Sequence, residues 1–438
     1  MIGPSQQLQL RPPHTSALES RRLNRKFILS VRPQFDKPAI VLSASASTTA
    51  RPYSARMADS IISRGQAILE NQTDSSSLLQ VGIFQTAIME LIESPSGRYM
   101  EQNWKIYVSA SADSVVDVVD NATKDARLPL DRLSVGRGLL YLYDETGTST
   151  YKQTLAALRA SIDLQPRNIF GGLWYYIYPN WSYLDGMFSL LSFYPLYTAN
   201  MDIANMTEVN NDLFHQIELL WEHCYDNTTG LLFHGYDATK TASWANPTTG
   251  ASLIVWDRAL GWFMMGLVDL LELPLMDSRV ATWRARFVDL ANAVVQAVDP
   301  ASGCWWQVMS SPGRTGNYIE ASGSAMFTYA LYKGVRLGLL QDNNPQEPPS
   351  ENPIAHFRAN YTRVATRAYR TLVDRFVVEN QDGTLSYNGT VGVCSLNSTA
   401  NYEYYTERPL VYNSVLGSAA FVRASMEHEL EHGVLYEQ

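Results

Sequence analysis

Cysteine is scarce in this chain: Cys224, Cys304 and Cys394 are its complement among 438 residues. No two of them form a CxxC, and none has His or Cys partners at metal-ligand spacing, so no metal is expected. At most one disulfide can form, and the plainest reading is three buried small apolar side chains. Long hydrophobic runs are missing too. No stretch of eighteen apolar residues occurs, so no membrane span is expected. Basic charge is short, with Lys and Arg at 34 against 43 Asp and Glu, a formal net charge of −9. That balance argues against a nucleic-acid partner, because phosphate backbones need a basic face. A small anionic substrate stays open if positive residues gather locally. Also absent are a Gly-rich phosphate cradle, a GxSxG elbow and an HExxH helix, which count against phosphoryl transfer, Ser-hydrolase and zinc chemistry. No cofactor is implied.

What the chain does hold is aromatic and helical. Ten Trp and twenty-five Tyr can build core, and they can also form stacking walls for sugar rings. Residues 1–55 are rich in Pro, Ser, Arg and Gln without sustained period and read as a disordered or processed segment. From 56 to 438 helical periodicity dominates. It predicts twelve helices, near 57–70, 80–93, 101–119, 133–144, 150–162, 183–199, 207–225, 255–272, 279–296, 320–339, 356–378 and 413–429. GLLYLYDETG, ALGWFMMGLVDLLE, GSAMFTYALYKGVRLG and VLGSAAFVRASMEHE are apolar on nearly every side, as fully buried helices are. Amphipathic helices such as RVATWRARFVDLANAVVQAV lie between them. Buried and half-exposed helices in alternation predict an all-α fold, an (α/α)6 barrel of six helical hairpins; an open solenoid would show a repeat period, and none is seen. Asn-x-Ser/Thr sequons begin at Asn71, Asn121, Asn180, Asn205, Asn227, Asn360, Asn388 and Asn397. They point to a secreted glycoprotein, although the amino-terminal residues are polar and basic with no apolar signal core.

Four stretches carry candidate chemistry. In WSYLDGMFSLLSFYPLY, 181–197, Asp185 is the lone ionisable residue. An apolar setting raises a carboxyl pKa, as a general acid requires. Upstream, Gly171 and Gly172 permit a tight loop, and Trp174, Tyr176, Tyr178, Trp181 and Tyr183 can line a pocket mouth. Pro195 should kink the helix that follows. In WDRALGWF, Arg258 stands between Trp256 and Trp262, a guanidinium fork among stacking planes that suits a sugar carboxylate. LLFHGYD presents His234, and LPLDRLSVGRGLL presents Asp131 just ahead of a buried helix. Each has a bland alternative: helix caps for Asp185 and Asp131, a pairing with Asp257 or a carbonyl for Arg258, a structural imidazole for His234. Carboxylates, Arg, His and aromatics on a helical scaffold point to carbohydrate chemistry.

These stretches resemble glycoside hydrolase family 105, the unsaturated rhamnogalacturonyl hydrolases, from about residue 57 to the carboxyl end. YPNWSYLDGMFSLLSFYPLY looks like the family's Tyr-Pro, Trp-x-Asp-Gly and Pro-Phe-Tyr signature, and WDRALGW resembles Trp-Gly-Arg-Ala-Met-Gly-Trp. FHGYD, EASGSAMFTYALYKGVRLG and LDRL match three further segments in the family's order. The resemblance implies an (α/α)6 barrel acting on the Δ4,5-unsaturated uronic acid that a lyase leaves at a non-reducing end, as in pectin degradation. It implies hydration of the double bond, with Asp185 protonating C4 and activating the water that adds at C5. Asp131 would hold ring hydroxyls or that water. His234, Trp256, Arg258 and Trp262 would bind the unsaturated sugar, with Trp174 and Tyr183 beside them and Arg258 on its carboxylate. The implied partner is an unsaturated oligosaccharide, met by a monomer. Departures are Arg132 for the second Asp of Leu-Asp-Asp-Ile, Asp257 for Gly, Tyr175 for His and Ser182 for Met. They bear on the leaving sugar. Unsaturated glucuronyl hydrolysis of other polysaccharide fragments, or a silent carbohydrate-binding barrel, are the alternatives.

Overall fold

A computed structural model of the chain describes residues 51–71, 75–94, 101–275, 277–342 and 360–433. The segment read as 1–55 lies outside them up to residue 50. The chain divides into Met1–Ser47 and Thr48–Gln438, and the helices described here belong to the second unit. Twelve helices longer than two turns run as α1 Tyr53–Ser63, α2 Ser77–Glu93, α3 Glu101–Val116, α4 Gly136–Thr146, α5 Ser149–Asp163 and α6 Gly186–Met201, followed by α7 Met206–Cys224, α8 Asp257–Glu272, α9 Val280–Gln296, α10 Ala321–Arg336, α11 Tyr361–Phe376 and α12 Val415–Glu431. Each overlaps one expected segment, with ends shifted in both directions. The first stops at Ser63 because Gly65 takes φ 62°, which breaks the helical ladder. Residues 356–359 of the eleventh lie outside the described residues. Pro195 does not end α6, which continues to Met201.

The helices sort into two rings by burial. In α8 every residue from Asp257 to Leu271 is buried. In α11 the buried residues Tyr361, Ala365, Ala368, Tyr369, Leu372 and Phe376 form one stripe, as on a helix with one wet side. The inner ring is α2, α4, α6, α8, α10 and α12, each packed on its neighbours, and α12 meets α2 to close it. The outer partners of the first five are α3, α5, α7, α9 and α11. The sixth hairpin is made from the chain's two ends, since α1 packs on α12. The fold is thus the expected (α/α)6 barrel. Inner helices approach closely: a Cβ on Gly266 of α8 would lie 2.8 Å from the Met187 carbonyl of α6. Two short antiparallel ladders interrupt the helices, β1 Trp181–Tyr183 with β2 Gly235–Asp237 and β3 Val377–Glu379 with β4 Leu385–Tyr387.

Toward the carboxyl ends of the inner helices the core carries charge. Arg423 of α12 is fully buried and reaches Glu90 of α2 at 2.7 Å, Asp269 of α8 at 2.8 Å, and the Tyr329 hydroxyl. Lys333 of α10 meets Asp269 at 2.6 Å and Glu272 at 2.8 Å. Burial alone would raise the Asp269 pKa, but Arg423 and Lys333 together hold it well below the usual carboxylate range. Removing one member leaves its partners charged and dry. Arg423→Met should therefore cost about 3–5 kcal/mol of unfolding free energy, read by chemical denaturation. A loss below about 1 kcal/mol, the range of a surface pair, would show that the network does not act as a unit.

Candidate active site

The site forms at the end where the inner helices begin, and a two-strand ladder builds its centre. In the β1–β2 register Tyr183 faces Gly235. Beyond the ladder the Leu184 amide donates to the His234 carbonyl at 3.0 Å. Asp185 and His234, forty-nine positions apart by number, are thereby set opposite each other. Glycine is required at 235, because a Cβ there would stand 2.5 Å from the Ser182 carbonyl oxygen. Asp185 Oδ2 lies 3.0 Å from His234 Nε2. That distance is ion-pair range, but the contact lacks hydrogen-bond alignment, and both atoms are otherwise unpartnered. On the other side of the imidazole, Nδ1 lies 2.6 Å from the Tyr405 hydroxyl. Burial keeps the Tyr405 phenol neutral by pushing its pKa well above the usual value.

Around this centre the aromatics interlock. The His234 ring lies 5.0 Å from Trp256 and 5.2 Å from Tyr183. Gln307 ties the wall together, accepting from Trp256 Nε1 at 3.0 Å and donating to the Tyr405 carbonyl at 3.0 Å. Tyr183 stacks on Tyr175 at 4.4 Å, and the Tyr175 hydroxyl donates to Asp131 Oδ2 at 2.8 Å. Asp131, Asp185, His234, Trp256 and Tyr183 therefore belong to one continuous cluster. Trp262 is buried a turn further along α8, against Phe188 at 4.9 Å, supporting the turn that carries Asp185. Trp174 is half-buried at the edge, its carbonyl accepting from Gln165. Among the described residues no three His, Cys, Asp or Glu side chains stand together as a metal site. The three cysteines are buried and unpaired.

Arg258 does not present a free fork. It is 1 % exposed. Its Nη1 donates to the Val391 carbonyl at 2.6 Å and to Ser322 Oγ, and its Nη2 donates to the Gly392 carbonyl at 2.7 Å. The plain reading of this residue, an arginine spent on carbonyls, is the one the structure shows, and the carboxylate-clamp expectation is corrected. At the neighbouring Asp257, burial first and then Glu320 push the carboxyl pKa well above the usual range. A raised carboxyl appears at Asp131. Burial pushes Asp131 up to about 7, with the Tyr175 hydrogen bond opposing and the Asp185 charge adding to the rise. Tyr405, Gln307 and Tyr175 were not named as site residues. Tyr405 lies in a five-residue helix, Tyr402–Thr406, too short to show a periodic signal.

The family profile of Glycosyl Hydrolase Family 88 matches residues 53–349. A solved glycoside hydrolase from family 105 of C. acetobutylicum ATCC 824 is 30% identical, covering 86% of this chain and 99% of its own, with a TM-score of 0.71. Protein Atu3128 of Agrobacterium fabrum is 33% identical over 204 residues, 45% of this chain and 82% of the relative. The unsaturated rhamnogalacturonyl hydrolase YesR of Bacillus subtilis is 26% identical over 231 residues, 50% of this chain and 62% of the relative. The chain belongs to the glycoside hydrolase 88/105 family, and it is an enzyme of the glycoside hydrolase class.

Asp131 yields a pH test. A carboxyl whose folded pKa is raised to about 7 contributes stability that is full below the unfolded value near 4 and is lost as pH rises through 7. Asn at 131 can still accept from Tyr175 and never ionises. Relative to the parent, Asp131→Asn should gain up to about 1.4 kcal/mol of unfolding free energy per pH unit between pH 4 and 7. Denaturant titrations at several pH values will measure it; parallel curves would refute a buried, late-titrating Asp131.

Proposed function

We propose that this hydrolase removes a Δ4,5-unsaturated uronic acid from the non-reducing end of lyase-generated oligosaccharides, rhamnogalacturonan fragments foremost. The observation that carries the reading is the Asp185–His234 contact at 3.0 Å inside an aromatic wall. One carboxyl gripped by one imidazole is what a hydration needs, because the same group can give a proton and then take one back. Asp185 donates a proton to C4 as the double bond is consumed. Water adds to C5 and returns its proton to Asp185. The C5 hemiketal opens to a ketone, the ring oxygen becomes a hydroxyl on C1, and C1 releases the neighbouring sugar.

The other groups follow from their surroundings. Tyr405 fixes the orientation of the His234 ring from its far side. Asp131, protonated near neutrality, donates a hydrogen bond to a ring hydroxyl or to the water. Tyr183, Trp256 and Trp174 supply apolar surface to the sugar face. The rhamnogalacturonan preference leans on the name of the Bacillus subtilis relative. Glucuronyl-containing fragments of other polysaccharides are the second reading, because Tyr175 and Ser182 depart from the family's usual His and Met where the leaving sugar is met.

Export is also part of the reading, supported by the eight sequons. Asn180 sits at φ 66° immediately before β1, and its carbonyl accepts from Ala238. A glycan there would crowd the site. Asn180 should therefore be unmodified in secreted protein in which exposed sequons such as Asn205, Asn227 or Asn397 carry sugar, as glycopeptide mass spectrometry would show; a glycan on Asn180 would contradict this placement of the entrance.

The decisive assay follows loss of the conjugated-uronate ultraviolet absorbance on lyase-digested rhamnogalacturonan, ulvan and chondroitin. Asp185→Asn, isosteric but unable to exchange the proton, should lower kcat by about 10²–10⁴-fold while leaving binding largely intact. Turnover within tenfold of the parent would make the carboxylate structural. A parent inactive on all three digests would instead favour the silent carbohydrate-binding barrel.

A further inference from the structure

A uronate substrate brings a negative charge to a protein whose own formal charge is −9, so the site needs a local cation. The obvious one is committed elsewhere. Arg258 is consumed by the Val391 and Gly392 carbonyls. Arg132, beside Asp131, is equally spent: Nε donates to Ser161 Oγ at 2.9 Å, Nη1 to the Leu128 and Pro129 carbonyls, and Nη2 to the Ser161 carbonyl. Both hold backbone in place, with most of their N–H donors committed to it.

Arg408 is different. It is half-buried, and its Nε is shut off from solvent with no hydrogen-bond partner. Its guanidinium lies over the Tyr404 ring, at 5.6 Å from the centroid. A dry guanidinium nitrogen with nothing to donate to is costly unless a ligand completes it. Its place is set by the pairing of two irregular segments. The Gly392 amide donates to the Pro409 carbonyl at 2.8 Å, and Val391 bridges Leu410. Arg408 thus flanks the glycine whose carbonyl Arg258 holds from the other side. Tyr404 meets Tyr405, the partner of His234, at 5.4 Å. The buried Cys394 thiol, pushed up to about 12 by burial, is within electrostatic reach of Arg258, Arg408, Asp257 and Asp185 together.

Gly392 adds an independent sign. Its φ is not in the left-handed region. A Cβ on it would meet Arg408 Nη2 at 3.9 Å, Val411 at 3.8 Å and the Pro409 oxygen at 3.3 Å. Only the last is tight, so backbone conformation does not demand glycine here. Its bare Cα leaves the Nη2 side of Arg408 uncovered.

We propose that Arg408 is the residue that binds the carboxylate of the sugar substrate, with Arg258 acting as the positioning residue that holds the Val391–Gly392 backbone beside it. This assignment rests on the uronide reading above. It replaces a fork inside the barrel wall with one on the segment that crosses the site.

The test compares the best-cleaved unsaturated disaccharide with its C6 methyl ester, which keeps shape and loses charge. The parent should prefer the acid in kcat/KM by about thirtyfold, the scale of one charge-assisted bidentate contact. Arg408→Gln should raise KM for the acid by about that factor, leave kcat within about threefold, and treat acid and ester alike. Arg408→Lys should keep the preference for the acid. A merely structural arginine would lower both activities together and leave their ratio unchanged. An unchanged acid-to-ester ratio in Arg408→Gln overturns the assignment while the uronide reading stands. A parent that cleaves no unsaturated uronide, acid or ester, overturns both.

Discussion

The three-residue pairing of β1 with β2 is the constraint on which the site depends. Strand side chains alternate, so a slip of one residue would turn every side chain of the ladder to the opposite face. With the register Trp181 to Asp237, Ser182 to Tyr236 and Tyr183 to Gly235, the residues just past the ladder are Asp185 and His234. The far end of β2 is pinned as firmly. The Asp237 carboxylate accepts from the amides of Thr239, Thr241 and Ala242. Burial would raise its pKa, and these hydrogen bonds hold it below the usual value. A ladder fastened at its turn and crowded at Gly235 has no room to slip.

The second element of order is Arg258, which works through what it holds. Gripping the Val391 and Gly392 carbonyls from the first turn of α8, it fixes the start of the segment that runs over the site to Arg408. That segment carries Leu396, fully buried above Gly235, and Tyr405, fully buried against His234. Glu320 assists from the amino end of α10. It accepts from the Gly323 and Val391 amides and from Ser322, with Arg258 at 3.8 Å. Asp257 crowds the same place, its Oδ2 2.3 Å from where a Gly323 Cβ would stand. Burial and the nearby Glu320 push the Asp257 carboxyl pKa well above the usual range.

How much of this was legible varies with the range of the interaction involved. The helices could be read because each ring writes its own local pattern, apolar all round inside and one stripe outside. The inner role of α2 was not evident, and neither was the pairing of α1 with α12, since closure joins residues more than 350 positions apart, as between Ser54 and Glu429. For the candidate site, WDRALGW, YLDG and FHGYD supplied residues that the fold brings into one cluster. Their individual duties did not follow. The flanks of Asp131 gave no sign that the folded chain would desolvate its carboxyl, because Tyr175, which holds it, comes from forty-four positions further along the chain. Arg258 looked like a ligand fork because the carbonyls it satisfies come from residues 391 and 392, far along the chain.

The two ends of the barrel solve opposite electrostatic problems. At the closed end Glu90, Asp269, Glu272 and Glu427 meet Arg137, Lys333, Arg336 and Arg423, charge against charge, in contacts of 2.6 to 3.5 Å. Its charges pair almost completely, with Arg423 Nη1 the atom left unpartnered, as suits a network that holds structure. At the other end the groups are unequal in environment. Asp131 is dry and late to ionise, whereas Asp185 has an imidazole at its side. Asp257 is pushed well above the usual carboxyl range by burial and by Glu320, and two of the three guanidinium groups near the site are largely committed to backbone. A barrel that satisfied every polar atom there would be more stable and inert. Among the buried polar atoms without a partner, Asp131 Oδ1, Asp185 Oδ2, His234 Nε2 and Arg408 Nε lie in or beside this cluster. An anionic sugar with hydroxyls and a carboxylate has the complementary atoms to partner them.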